Sequence, residues 1–234
     1  MAPKRKSAEE IPLSKEAGPL GKERAPLSKE RVLETAVILA DRGGIDALTM
    51  RKLAQELGVE AMSLYHYYTK KDEILDGILD IVMGEIEIPS EEQDWKPALR
   101  RTAISAHQVL TSHSWACRLM FSAKALSGRL RYMNSILATL RQGGFSPQMT
   151  HHAYHALDSH IVGFTLWQVS FEFDVKDLPS LGAAFLRALP VDQYPYLAEH
   201  VEQHLDEAVE TEEGEFEFGL DLILDGLERL RGIS

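Results

Sequence analysis

Between Leu48 and Tyr68 the chain reads Leu-Thr-Met-Arg-Lys-Leu-Ala-Gln-Glu-Leu-Gly-Val-Glu-Ala-Met-Ser-Leu-Tyr-His-Tyr-Tyr, and this stretch restricts the fold more than any other. Thr49 predicts an N-cap for a short helix whose core face is Leu53, Ala54 and Leu57. Gly58 can take the positive φ of a tight turn, and a second short helix is expected almost at once, with Leu64 facing back. Two helices meeting so closely need a small residue at the crossing. Ala54 supplies it, and the order Ala54, Gly58, Leu64 suits a helix-turn-helix. Upstream, Ser28 predicts the N-cap of a helix in which Leu33, Ala36, Val37 and Ala40 recur on one face, with Gly43-Gly44 as its left-handed stop. Downstream, Thr69 and Asp72 predict a capping box before Ile74, Leu75, Ile78, Leu79 and Val82, the apolar stripe of a further helix.

A bland reading of the same spacing is a small helical hairpin in an all-α core, its glycine merely a C-cap. The side chains weigh against it. Tyr65, His66, Tyr67 and Tyr68 are consecutive, so they point all round a helix and at least two must be exposed. Exposed Tyr and His beside Lys70 and Lys71 are donors suited to phosphate oxygens, and Thr49 and Arg51 open the preceding helix with the same chemistry. Charge agrees with a polyanion approaching this part alone. The whole chain carries a net charge of −11, yet residues 1–75 hold 13 Lys and Arg against 12 Asp and Glu, while residues 76–234 hold 12 against 24. Nucleic acid would be repelled by the second part.

Residues 1–27 contain four prolines and no apolar periodicity and are expected to form a flexible arm. Lys4-Arg5-Lys6 within it is either a solvated tail or a basic arm able to enter a minor groove. From Trp95 onward helices are expected over Trp95 to Thr111, Ser114 to about Ala123, Gly128 to Arg141, Pro147 to Phe173 and about Glu215 to Arg231. Asp174 to Tyr196 should be a loop with a short helix. Strands are not expected, because no segment sustains a period-two alternation.

The single cysteine, Cys117, excludes an intrachain disulfide framework and favours the cytoplasm. No apolar run is long enough to span a bilayer, so a membrane partner is not expected. His200 with His204, and His151 with His155 and Asp158, have spacings that could suit a metal. Such histidines are more often solvated, and no metal or other cofactor is assigned. Nucleophile-elbow, phosphate-loop and dinucleotide fingerprints are missing from the sequence, so no catalytic residue is assigned either.

Residues 28–83 resemble the DNA-binding domain of the TetR (tetracycline-repressor) family: a first helix ending in Gly-Gly, then Leu48 to Val59, then Leu64-Tyr65-His66-Tyr67-Tyr68-Thr69-Lys70-Lys71-Asp72-Glu73-Ile74-Leu75. The second half resembles the tetracycline-repressor-type ligand and dimerisation domain at Asp94-Trp95, Gly144-Phe145-Ser146-Pro147, Gly163-Phe164 and Phe216-Glu217-Phe218-Gly219-Leu220-Asp221. The resemblance implies that Thr49, Arg51, Tyr65, Tyr67 and Lys71 contact the DNA backbone. Glu60, Ala61, Met62, Ser63 and His66 then occupy the variable face that enters the major groove, and Tyr68, where the family usually has Phe, takes a core role. Glu60 is nearer the tetracycline-responsive branch than the common Ser. A carboxylate there can accept from cytosine N4 but repels phosphate.

Two helices are apolar on more than one side, one around Ala153, Leu157, Ile161, Phe164, Leu166 and Trp167, the other around Phe216, Gly219, Ile223, Gly226 and Leu227. By pattern alone each could lie at the centre of a monomeric bundle. The resemblance implies instead a homodimer through a four-helix bundle, with Ile161, Phe164, Phe216, Gly219, Ile223, Gly226 and Leu227 at the contact. It further implies an effector cavity lined by Trp115, Met120, Phe121, Tyr154 and Trp167, with His107, Tyr154 and Asp158 as polar anchors for a small amphipathic organic molecule.

The expected protein is therefore all-α, an N-terminal three-helix helix-turn-helix domain followed by a helical ligand-binding and dimerisation domain. Its parts are an arm (1–27), a DNA-binding domain (28–75), a connecting helix and linker (76–94) and the effector domain (95–234). Its expected function is a repressor that leaves a palindromic double-stranded DNA operator when an effector binds. The alternatives are an effector-independent architectural or activating DNA-binder, and a helical enzyme or carrier.

Overall fold

The computed structural model describes residues 26–89, 94–120, 127–170, 177–207 and 212–231. All regular structure among them is helical, in the order α1 (Lys29–Ala47), α2 (Met50–Leu57), α3 (Ala61–Leu64), α4 (Lys71–Glu85), α5 (Trp95–Ser112), α6 (Trp115–Leu119), α7 (Ser127–Gln142), α8 (Pro147–Val169), α9 (Leu178–Ala188), α10 (Pro195–Glu207) and α11 (Glu212–Arg231). The basic triplet Lys4-Arg5-Lys6 and Phe121 lie outside the described residues.

The helix starts follow from short polar side chains that take up otherwise unpaired backbone N–H groups. Ser28 accepts from Arg31 N at 3.2 Å, Thr49 from Lys52 N at 3.2 Å and Ser146 from Met149 N at 3.2 Å. Gly58, at φ 68° and ψ 37°, closes α2 in the left-handed region. Gly44, at φ 70°, breaks α1 as expected, but one further helical turn follows it to Ala47. The capping box at the start of α4 differs from expectation. Thr69 N and Thr69 Oγ1 both donate to the Glu73 carboxylate, at 2.8 and 2.6 Å, so the partner stands four residues on and Asp72 is not used. The region after Asp174 is also more helical than the sequence suggests, since α9 runs for 11 residues and packs with α10.

Val32, Ala36, Leu53, Ala54, Leu57, Leu64, Tyr68, Ile74 and Ile78 are buried together and bind α1, α2, α3 and the start of α4 into one unit. α4 leaves this unit and packs against α7, while α5 packs on α8 and α11. Close approach of α4 to α1 depends on Gly77, where a Cβ would stand 2.7 Å from Leu33 Cδ2. A second close contact lies at Gly143, where a Cβ would meet the Trp95 side chain at 2.8 Å, and Trp95 packs edge-on to Phe145 with centroids 4.9 Å apart.

Candidate nucleic-acid interface and regulatory site

α3 is a single turn, and Tyr65, His66 and Tyr67 form the turn that follows it rather than a longer helix. The geometry still sorts the four consecutive ring residues. Tyr65 and His66 are exposed, Tyr67 is half-buried and Tyr68 is buried. Glu60 and Met62 are exposed, Met62 at 72%, while Ala61 and Ser63 are half-buried. Thr49 and Arg51 are exposed at the start of α2. An apolar side chain as open as Met62 is free to meet a thymine methyl, and the exposed members of the group offer hydroxyl, imidazole and guanidinium donors.

Two of the expected phosphate ligands also serve inside the subunit. Tyr67 OH donates to Leu27 O at 2.9 Å, so its proton goes to the chain just before α1 and is not open to a phosphate oxygen in this conformation. Lys71 Nζ lies 3.4 Å from Ile45 O, leaving other ammonium protons for an anion. Tyr67 thereby ties the chain just before α1 to the turn after α3, and Lys71 ties the end of α1 to the start of α4.

The joint between this unit and the rest of the chain is polar. Asp41 of α1 accepts from Trp115 Nε1 at 2.7 Å and faces His113 Nδ1 at 2.8 Å, and His113 Nε2 is 3.3 Å from Glu85 of α4. Trp115 was expected in a ligand wall. Its ring is buried, but its indole N–H is committed to α1, which makes it a link between the two parts. Asp41 and Glu85 carry no sequence signal for this role, because their partners lie far along the chain. α4 is tied to α7 in the same manner. Gly128 N donates to Asp80, and Arg131 donates to Gly84 O at 3.1 Å.

Behind the joint, α5, α8 and α11 meet at a stack of rings. The Phe216 ring lies between His107, at a centroid distance of 4.0 Å, and His160, at 4.9 Å, with Phe164 edge-on at 5.5 Å. Thr165 donates its hydroxyl to Ile161 O at 2.7 Å, so at the 2.8 Å contact with His107 Nδ1 it must accept. With the Thr165 proton assigned to Ile161 O, His107 is assigned the Nδ1–H tautomer. Burial, with the nearby His160 adding to it, holds His107 below the usual histidine range. The folded subunit thus keeps a neutral ring, while the unfolded chain takes up a proton near the ordinary value of about 6.5. Stability contributed here is present above that value and is lost as the pH falls below it. We expect the melting temperature of the wild type to drop from pH 7 to pH 5.5 by more than that of His107→Gln, as differential scanning calorimetry will show. An equal drop would place the acid sensitivity elsewhere.

Met120, Tyr154 and His107 are buried and Asp158 is partly buried, in keeping with an interior wall. Trp167 is not part of it, since it is 51% exposed and packs beside Phe164 on the outside of α8. Among the described residues, buried side-chain oxygens without a hydrogen-bond partner are Tyr132 OH, Thr150 Oγ1, Asp158 Oδ1 and Gln168 Oε1. No cluster of described residues has the ligands to hold a metal ion.

The expected dimer contact needs correction. Ile161, Phe216 and Leu227 are buried inside their own subunit and cannot meet a second one. Gly219 is small for an internal reason, because a Cβ there would stand 2.6 Å from His160 Cε1. Phe164, Ile223 and Gly226 are only half-buried. The face left open on α11 runs through Phe218, Leu222, Gly226 and Leu230, four residues apart, and on α8 through Ala156, Ser159, Gly163 and Trp167. Gly163 and Gly226 have open space above them.

Comparison with known proteins agrees with this geometry at both ends of the chain. Residues 32–78 match the family model for bacterial regulatory proteins of the tetR family, and residues 88–231 match the tetracyclin repressor-like C-terminal domain. The HTH-type transcriptional repressor DrrR1 of Streptomyces coeruleorubidus is 32% identical over 85% of this chain and 76% of its own length. Tetracycline repressor protein class G of Vibrio anguillarum is 29% identical over 86% and 93%. Apo ActR of Streptomyces coelicolor superposes with a TM-score of 0.69 at 28% identity, covering 89% of this chain and all of that one, and ActR has also been solved in complex with actinorhodin. With a helix-turn-helix unit joined through α4 to a helical domain of the matching type, the chain belongs to the TetR family of DNA-binding transcriptional regulators.

Proposed function

We propose that the protein is a homodimeric repressor that occupies a palindromic operator and is released from it by a small amphipathic organic effector. The observation that carries this reading is the placement of α4, which meets α1 through Lys71 and Gly77 in its first half and α7 through Asp80 and Gly84 in its second, with His113 bridging Glu85 and Asp41. A change of packing among α5 to α8 is thereby delivered to α2 and α3, and the spacing of the two recognition turns in a dimer shifts away from that of the groove. The effector seat would lie among His107, Met120, Tyr154 and Asp158. ActR, which is similar to this chain, binds actinorhodin, which supports an organic effector here.

Residues 28–75 would hold the DNA, 76–94 connect and 95–234 take the effector and the second subunit, with no catalytic step. No helix of the described residues is long and apolar enough to cross a membrane, and the work is assigned to the cytoplasm, where operator DNA is.

The DNA side is tested by sorting phosphate contacts from base contacts. Arg51→Ala should weaken binding to operator and random duplex by the same factor and lower the slope of log affinity against log salt by about 0.9. His66→Ala should instead change base preference, by about 1–3 kcal/mol if a base contact is lost. Fluorescence anisotropy titrations over a range of salt measure both. A changed base preference with Arg51→Ala at an unchanged slope would reverse the orientation argued for α2 and α3.

A further inference from the structure

The interior between α7 and α8 contains polar groups that the fold itself does not satisfy. Tyr132 of α7 is 1% exposed and Thr150 of α8 is 4% exposed, and neither hydroxyl has a partner. On α8, Thr150, Tyr154 and Asp158 succeed one another at intervals of four residues and so share one face. Tyr154 hydrogen-bonds the Asp158 carboxylate, yet Asp158 Oδ1 is buried without a partner. A buried hydroxyl or carboxylate oxygen left unpaired is costly, and three such atoms stand on the two packed helices α7 and α8.

The charges define what would complete it. Burial pushes Tyr132 well above the usual tyrosine range, with the nearby Asp158 adding to the effect. Burial likewise pushes Tyr154 up to about 12, so both phenols stay neutral donors. Burial raises Asp158, while Arg129 of α7 and His155 act in the other direction. The carboxylate therefore already has the Arg129 guanidinium as a favourable neighbour, and a cationic ligand would be repelled by it. An anionic ligand would face the carboxylate itself. A neutral hydroxyl group suits the Tyr132 and Asp158 pair, since it can donate to Asp158 Oδ1 and accept from Tyr132, while Thr150, two helical turns before Asp158 on α8, would meet a different part of the same molecule. Ile136, Ala153 and Leu157 are buried on the same two helices and suit an apolar body.

We propose that Tyr132, Thr150 and Asp158 form the polar seat of the effector site and select a neutral, hydroxyl-bearing aromatic molecule over charged ones. This rests on the effector reading above and names the chemical class that the site would take. The test uses one ring system in three charge states: 1-naphthol, 1-naphthoate and 1-naphthylmethylammonium, each titrated calorimetrically into the full-length protein at neutral pH. The naphthol should bind and the two ions should bind at least about ten-fold more weakly. Tyr132→Phe and Asp158→Asn should each weaken the naphthol about ten-fold. Because its hydroxyl is unpartnered, Tyr132→Phe should leave the unliganded melting temperature unchanged or higher, which separates a lost ligand contact from a damaged fold.

No binding of the naphthol, equal binding to wild type and variants, or preference for either ion would overturn the assignment. So would a crystal structure in which ordered waters bridge the three oxygens and remain in the presence of saturating naphthol. Sequence-specific DNA binding by the same wild-type sample is read independently. Its loss would overturn the regulator reading without touching the naphthol titrations, and failure of the titrations would leave the regulator reading in place.

Discussion

Leu222→Arg is expected to separate the subunits while leaving each one folded. Leu222 is 56% exposed within the subunit, so an arginine there disturbs no internal packing. In a dimer built on the open faces of α8 and α11 it would set two unpaired charges into an apolar contact near the two-fold axis, where truncated or charged substitutions have their largest effects. A palindromic operator needs two recognition elements about 34–36 Å apart. A monomer therefore loses the specific component of affinity, roughly a thousand-fold or more, and keeps the weak electrostatic component. Sedimentation equilibrium at micromolar concentration and operator titration of the same sample measure the two effects together. A variant that stays dimeric would place the contact on some other face.

Phe216→Ala is expected to give the largest loss of stability. The ring is buried against His107, His160 and Phe164, which come from α5 and α8, so its removal opens a cavity where three helices meet. Loss of a buried Phe typically costs about 3–5 kcal/mol. For a chain of this size each kcal/mol lowers the melting temperature by roughly 2–4 °C, giving a decrease of roughly 6–20 °C by calorimetry. A decrease below about 2 °C would mean that the stack is not a structural centre.

The local parts of this architecture are legible in the sequence because they obey short-range rules. Ser28, Thr49 and Ser146 cap the helices they precede and Gly58 takes the left-handed turn, whereas the burial of Tyr68 beside the exposed Tyr65 and His66 follows from the family resemblance and not from local pattern. What fails is direction. Helices α8 and α11 are apolar on more than one side, and periodicity then reveals breadth without telling which side faces inward. Phe216 and Phe218 are two residues apart with the same chemistry, yet one is 1% exposed and the other 68%. Gly219 invites a reading as a dimer contact, while its reason is the His160 ring beside it.

Long-range polar contacts are equally hidden. Trp115 reads as a ligand wall until Asp41, 74 positions earlier, is seen to hold its indole. Nothing local marks His113 as a bridge between α1 and α4, since imidazole chemistry alone suits many surroundings. The unpaired Tyr132 hydroxyl is a property of packing and has no counterpart in the order of residues.

If two copies of this chain read DNA together through α2, α3 and the turn after α3, selection of binding sites from a random duplex library, followed by footprinting and stoichiometry on the enriched sequence, will yield an inverted repeat occupied by two subunits, with half-site centres one or more whole helical turns apart, about 10–10.5 base pairs each. Enrichment of no sequence, or of a single half-site filled by one subunit at full affinity, would mean that the subunits do not read DNA as a pair.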